Sequence, residues 1–309
     1  MRALVTGGSG FIGSYLIPKL IERGFEVVVF DLAPEPAALK EVSDRITYVR
    51  GDLGSAADIY RVMMTGGITD VFHLGSVLAG PCEADPVFGF RVNFGSTQAL
   101  LDAAAARKIH RFVMVSSISV FGRDAAEPVA DDAVKNPETV YGQTKLACEH
   151  LLRWYHRKHG LDTRAVRFAW VFGPGRTTGI TALYSSAILD AIAKGEPWTV
   201  PNPGETGDWL YVKDAVKALL CLYDAEDPRQ RIYNIAGGVH TIGEVVAVGR
   251  EAMPGSRIEL VQGGANQSPY PASYDDGPAR REIGWAPDYD LASAVREHIE
   301  IVARRHRSG

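Results

Sequence analysis

Apolar positions alternate between two spacings along the first half of this chain. Residues 3–5 form a short apolar run that reads as a strand. Gly7, Gly8, Gly10 and Gly13 follow, and residues 15–21 resume an apolar pattern at helical spacing. Strand patterns return at residues 27–31, 46–49, 70–74 and 111–115. Between the last two, residues 92–106 read as a long helix with Asn93 near its start, and Tyr141 opens another that runs to about residue 157. Strands alternating with helices pair in parallel through right-handed crossovers. The pattern therefore predicts an α/β fold on a doubly wound parallel sheet.

The first strand, turn and helix carry candidate chemistry. Gly7 permits a tight turn, Gly10 lets backbone approach a pyrophosphate, and Gly13 lets the helix pack close to the strand. The first-turn amides, at Phe11, Ile12 and Gly13, lack intrahelical acceptors and sit at the positive end of the helix dipole, so a phosphate fits there. Asp31 ends the second strand 18 residues after Gly13, where a carboxylate can accept a hydrogen bond from a ribose 2′-hydroxyl. A 2′-phosphate would instead face that carboxylate, a repulsion of about 4 kcal/mol at contact before screening. NAD is thus expected over NADP, in a Rossmann arrangement. Asp52 and Leu53 follow the third strand; Asp52 is placed either to reach the adenine or to cap the helix starting near Ser55. Leu74 ends the fourth strand and Gly75 and Ser76 follow it, where small residues suit close passage of a cofactor, and Asn93 is grouped with them. His73 reads as a packed strand residue.

Composition narrows the class. The chain has 309 residues, 46% hydrophobic and 23% charged, with a net charge of −4. These values suit a globular protein and argue against general attraction to nucleic acid or membrane. Cys82, Cys148 and Cys221 form no zinc spacing and no even disulfide set, which suits a reducing compartment. A strand begins almost at the N-terminus, and no apolar run reaches the roughly 18 residues a membrane span needs. A cytoplasmic location is expected.

The fifth strand leads into Ser116-Ser117. Ligands in such sheets bind beyond the strands' carboxyl ends, so both serines are placed to face a cofactor. Tyr141 and Lys145 are four apart on one helix, so phenol and ammonium share a face. Gly7/Gly10/Gly13, Asp31, Ser117, Tyr141 and Lys145 together resemble the extended short-chain dehydrogenase/reductase family, the NAD-dependent epimerases, dehydratases and related dehydrogenases. The resemblance spans nearly the whole chain. It implies that residues 1–170 form the dinucleotide-binding domain and that residues 171–309 form mostly a smaller substrate-binding region, with segments returning to the first. It implies Tyr141 as general acid/base, its phenol shifted down from a pKa near 10 by Lys145 and the positive nicotinamide. Lys145 also holds the nicotinamide ribose, Ser117 orients the reacting oxygen, and hydride passes between substrate carbon and NAD. It further implies a twofold homodimer through the helices of residues 92–106 and 141–157.

Within the family the residues discriminate. Ile118-Ser119 stand where dehydratases carry Asp-Glu, which argues against dehydration. Gly207 stands where nucleotide-sugar epimerases carry an arginine for the diphosphate, and Trp170 replaces a usual asparagine. Residues 115–122, 138–142 and 271–280 and the Thr177-Thr178 pair are similar to the short-chain type of L-threonine dehydrogenase, although Ala79 stands where that subgroup has a substrate-contacting serine. A small hydroxy-amino acid or sugar acid is the expected substrate, with a UDP-glucose 4-epimerase and a non-catalytic NAD sensor as alternatives. Arg167 is placed either to meet a substrate carboxylate or to brace the fold, and Thr177 and Thr178 either to contact substrate or to cap a helix.

Overall fold

The computed structural model describes residues 1–34, 37–263 and 268–308. Its first half runs β1 (Arg2–Thr6), α1 (Phe11–Glu22), β2 (Glu26–Asp31), β3 (Ile46–Arg50), α2 (Ala56–Met63), β4 (Asp70–His73), α3 (Ala79–Ala84), α4 (Pro86–Phe90), α5 (Ser96–Ala106), β5 (Arg111–Ser117), α6 (Val140–His159), β6 (Asp162–Phe168) and β7 (Trp170–Phe172). The second runs α7 (Ile180–Leu183), α8 (Ser186–Lys194), β8 (Trp198–Pro201), β9 (Thr206–Tyr211), α9 (Val212–Asp224), β10 (Ile232–Ile235), β11 (Val239–Thr241), α10 (Ile242–Ala252), β12 (Ile258–Val261), α11 (Gly277–Ile283) and α12 (Leu291–Ser308).

Seven strands form one parallel sheet in the order β10-β6-β5-β4-β1-β2-β3. The order in which successive strands are added reverses at β1 and β4, which puts the ligand crevice beyond their carboxyl ends. Both faces are covered, α1 and α9 contributing to one buried cluster and α2, α5 and α6 to the other. That is why β1, β2 and β4 read as continuous apolar runs rather than alternating ones. The second half is interleaved with the first: β10 extends the central sheet beside β6, while β7, β9 and β11 form a separate three-stranded sheet. Of the helices expected at a dimer interface, α5 packs on α6, and α6 leaves Trp154 45% exposed.

One helix starts earlier than the spacing predicts. Asp85 accepts a hydrogen bond from the Phe88 amide and caps α4, with Pro86 in its first turn. A π-helical turn over Arg91–Gly95 joins α4 to α5. Asn93 therefore lies within a continuous helical stretch, not near its start, and its carbonyl accepts bonds from the hydroxyls of Ser96 and Thr97.

The structure assigns Arg167 to bracing. On β6 it is fully buried, and its guanidinium donates to both Glu149 carboxylate oxygens at 2.8 Å, with further bonds to the Asp131 carbonyl at 3.0 Å and the Asn234 side chain at 3.2 Å. Ser116 Oγ donates to Glu149 at 2.7 Å. These bonds lie inside the protein and occupy the guanidinium, so Arg167 does not contact a substrate carboxylate. Its partner Glu149 belongs to α6, the helix of Tyr141 and Lys145. Arg167→Met leaves that carboxylate buried and unpaired. It should destabilise the protein by about 3–5 kcal/mol in denaturant titrations; a loss below about 1 kcal/mol would show that the pair does not anchor α6.

Candidate active site

The glycine turn is shaped by contacts that no side chain could share. Gly7 has φ +65°, and a Cβ there would lie 2.6 Å from the Gly75 Cα. A Cβ on Gly75 would lie 2.4 Å from Leu53 Cδ1, so Gly7, Leu53 and Gly75 form one close-packed group at the crevice. A Cβ on Gly13 would meet the Gly8 carbonyl oxygen at 2.4 Å, so Gly13 brings the helix against the turn rather than against the strand. The backbone around Gly10 is the exposed rim, and no side chain caps the start of α1. The amides of Phe11, Ile12 and Gly13 are thus left to an external acceptor. Asp31 accepts from the Ser9 amide at 2.9 Å and the Ala33 amide at 3.2 Å, which points its carboxylate at the turn. Asp52 does not cap α2: it accepts from the Gly54 amide at 2.7 Å, while Ser55 caps the helix. This cradle fits a dinucleotide.

Beyond β4 the loop of Leu74, Gly75 and Ser76 is pinned from beneath. The Asn93 side chain accepts from the Val77 amide at 2.8 Å and donates to the Val77 carbonyl and the Thr144 hydroxyl, both at 3.0 Å. Its hydrogen-bonding capacity is spent on tying this loop to α6, so it shapes the cofactor crevice as a positioning residue. His73 is buried between the hydroxyls of Thr6 and Thr97, and burial pushes its imidazole down to about 3, so it stays neutral in the core.

Ser117, Tyr141 and Lys145 converge at the end of β5. Thr139 caps α6 through the Gly142 amide, setting Tyr141 in the first turn and Lys145 one turn on. Gly142 lets the helix reach the serine loop: a Cβ there would lie 2.1 Å from the Ser119 carbonyl oxygen. Lys145 is buried, donates to the Val115 carbonyl at 2.9 Å and has its Nζ 5.6 Å from the centre of the Tyr141 ring. Desolvation lowers its pKa. The downward shift expected for Tyr141 is absent from the free protein. Burial pushes the phenol up to about 12, outweighing hydrogen bonds with Ser117 and Ser76 and the field of Arg176. The resting phenol is therefore protonated at neutral pH.

On the substrate side, the capping alternative for the two threonines fails. Thr177 and Thr178 are exposed, and Gly179, not a threonine, precedes α7 without a side-chain cap. The same loop also carries Arg176, which donates to the Thr181 hydroxyl and whose charge reaches Tyr141; a single arginine among glycine, proline and threonine gives no sequence signal. Tyr270, held close enough to Tyr141 to share its field, was also missed. Trp170 and Gly207 prove to be one feature: a Cβ on Gly207 would lie 2.6 Å from the Trp170 indole, itself packed edge-on against Trp209 at 5.8 Å between centroids.

The carboxylate of Asp31 at the turn generates a cofactor prediction. Fluorescence titrations should show NADH binding at least about tenfold tighter than NADPH, and Asp31→Ala should narrow the gap by removing the repulsion. Equal binding of both by the unaltered protein would contradict this role of Asp31.

Comparison with known proteins agrees with this geometry. The family model for the NAD dependent epimerase/dehydratase family matches residues 3–236. The mitochondrial L-threonine 3-dehydrogenase of Sus scrofa is 28% identical across 95% of this chain and 80% of its own length. Among solved structures, a GalE-like L-threonine dehydrogenase from Cupriavidus necator is 30% identical with a TM-score of 0.86, covering 98% of this chain and 99% of its own. A UDP-glucose 4-epimerase from Thermus thermophilus in complex with NAD is 26% identical with a TM-score of 0.85 and the same coverage. Glycine turn, strand-end Asp31 and serine–tyrosine–lysine group thus stand on a shared fold, and the chain belongs to the NAD-dependent epimerase/dehydratase family of enzymes.

Proposed function

We propose that this enzyme is a dehydrogenase that oxidises a secondary alcohol of a small polar substrate, a hydroxy acid, hydroxy-amino acid or sugar acid, and releases the oxidised product. The observation that carries the reading is the Trp170 indole lying over Gly207. An epimerase returns hydride to the opposite face of the same carbon, so its intermediate must stay bound while it turns over. That demands a strong handle remote from the reacting centre, normally a diphosphate held by an arginine. The indole takes the space where such a side chain would begin. A dehydrogenase needs no remote handle. The likeness to L-threonine dehydrogenases supports the same choice, and Ser117, Tyr141 and Lys145 gathered at the carboxyl end of β5 favour turnover over passive NAD sensing.

NAD, bound at the glycine turn, supplies the hydride acceptor for oxidation. Tyr141 takes the proton of the substrate hydroxyl, Ser117 Oγ hydrogen-bonds the same oxygen and fixes its direction, and Lys145 holds a positive charge beside the phenol. Oxidation needs the phenolate, whose fraction grows with pH while the phenol titrates near 12 or is drawn down from it by positive charge. Oxidation should therefore be faster at pH 9 than at pH 7. With a panel of hydroxy acids including L-threonine, absorbance should show net NADH accumulation, reduced at least about 100-fold in Tyr141→Phe with NADH binding retained. Interconversion of UDP-glucose and UDP-galactose without net reduction of NAD would overturn the reading.

A further inference from the structure

Arg176 lies in the loop of residues 173–179, between β7 and α7. That loop is pressed onto the crevice at both ends. A Cβ on Gly173 would lie 2.5 Å from Val212 and 3.3 Å from Phe11, and a Cβ on Gly179 would lie 3.0 Å from Leu78 and 3.7 Å from Arg176 Nη2. Leu78 follows Ser76 in the loop beyond β4, and Ser76 hydrogen-bonds the Tyr141 phenol. The guanidinium is therefore held at the rim of the catalytic group.

Its partners are few. Nη2 donates to the Thr181 hydroxyl, and among the described residues no carboxylate lies within ion-pair distance. The buried arginines Arg164 and Arg167 each hold a carboxylate bidentately. Arg176 is half-buried, and loss of hydration brings it down to about 10; Tyr141 is the titratable group whose charge it feels. A dehydrated guanidinium keeps most of its donors for a planar, two-oxygen anion. Of the other polar groups nearby, Ser76, Ser117, Thr181 and Tyr141 carry no charge at pH 7, and the second cation, Lys145, lies against the Tyr141 ring with its ammonium bonded to the Val115 carbonyl.

We propose that Arg176 is the substrate-anion site, and that the substrate carries a carboxylate close to the carbon that is oxidised. The assignment rests on the dehydrogenase reading and narrows it. Proximity selects the anion. A diphosphate handle must lie remote from the reacting carbon, whereas Arg176 is close enough to the acid/base tyrosine for each to feel the other's charge. A carboxylate one or two carbons from the reacting alcohol spans that interval, as in hydroxy acids and hydroxy-amino acids.

The test compares each acid with its neutral amide on the NAD-loaded enzyme. L-Threonine, 3-hydroxybutyrate and D-glucuronate are titrated against L-threoninamide, 3-hydroxybutyramide and D-glucuronamide, with thermal unfolding as the readout, and UDP as a phosphate control. At least one acid should raise the melting temperature while its amide and UDP do not. R176Q should abolish that shift and raise the KM of the same acid about 30-fold or more, and R176K should retain part of it. Equal shifts from acid and amide, a full acid response in R176Q, or no shift from any acid would overturn the assignment. NADH formation from the neutral amides would remove the carboxylate site and leave the dehydrogenase reading standing; sugar interconversion without net NADH would remove both.

Discussion

The Glu149 carboxylate, fully buried between Arg167 and Ser116, is the fixed point from which the catalytic arrangement is built. It ties α6 to β5 and β6 at the helix's midpoint. Four residues before it, Lys145 reaches the Val115 carbonyl, and near the helix start Gly142 rests on the Ser119 carbonyl. Three attachments along one face leave the helix little freedom to slide or roll. Tyr141 meets Ser117 because of them. Burying an ion pair costs desolvation, and its Coulomb attraction offsets that cost only when the remaining lone pairs and protons are satisfied. Here the guanidinium also bonds the Asp131 carbonyl and Asn234, so the same pair ties in β10 and the loop before α6.

Much of this was legible in the sequence, for physical reasons. Parallel strands covered on both faces must be apolar throughout, so residues 27–31 and 111–115 declare themselves. A glycine turn between strand and helix has few uses, and Tyr141 and Lys145 four apart must share a helical face. What stayed hidden depends on partners distant in sequence. Arg167 reads alike as a ligand or a brace until Glu149, eighteen residues earlier, is seen opposite it. The π-helical turn at Asn93 leaves no mark in an apolar pattern that continues through it. The raised pKa of Tyr141 reflects burial, which local sequence does not disclose. Arg176 sits among glycine, proline and threonine and looks like solvent-facing loop until its neighbours are in place.

Substrate choice rests on packing at the other side of the crevice. Trp170 and Gly207 are two departures from the nucleotide-sugar pattern in sequence and a single contact in space, the indole filling what the glycine leaves. In the function we propose, loss of the remote anion handle together with Arg176 near the catalytic group moves charge recognition from the far end of a large substrate to the reacting end of a small one.

In the proposed dehydrogenase the Trp170–Gly207 contact closes the diphosphate site. Calorimetric titration of the NAD-loaded enzyme with UDP tests it most directly. A closed site gives no saturable heat up to ~1 mM, corresponding to binding weaker than about 4 kcal/mol. Saturable binding of UDP in the micromolar range would contradict it.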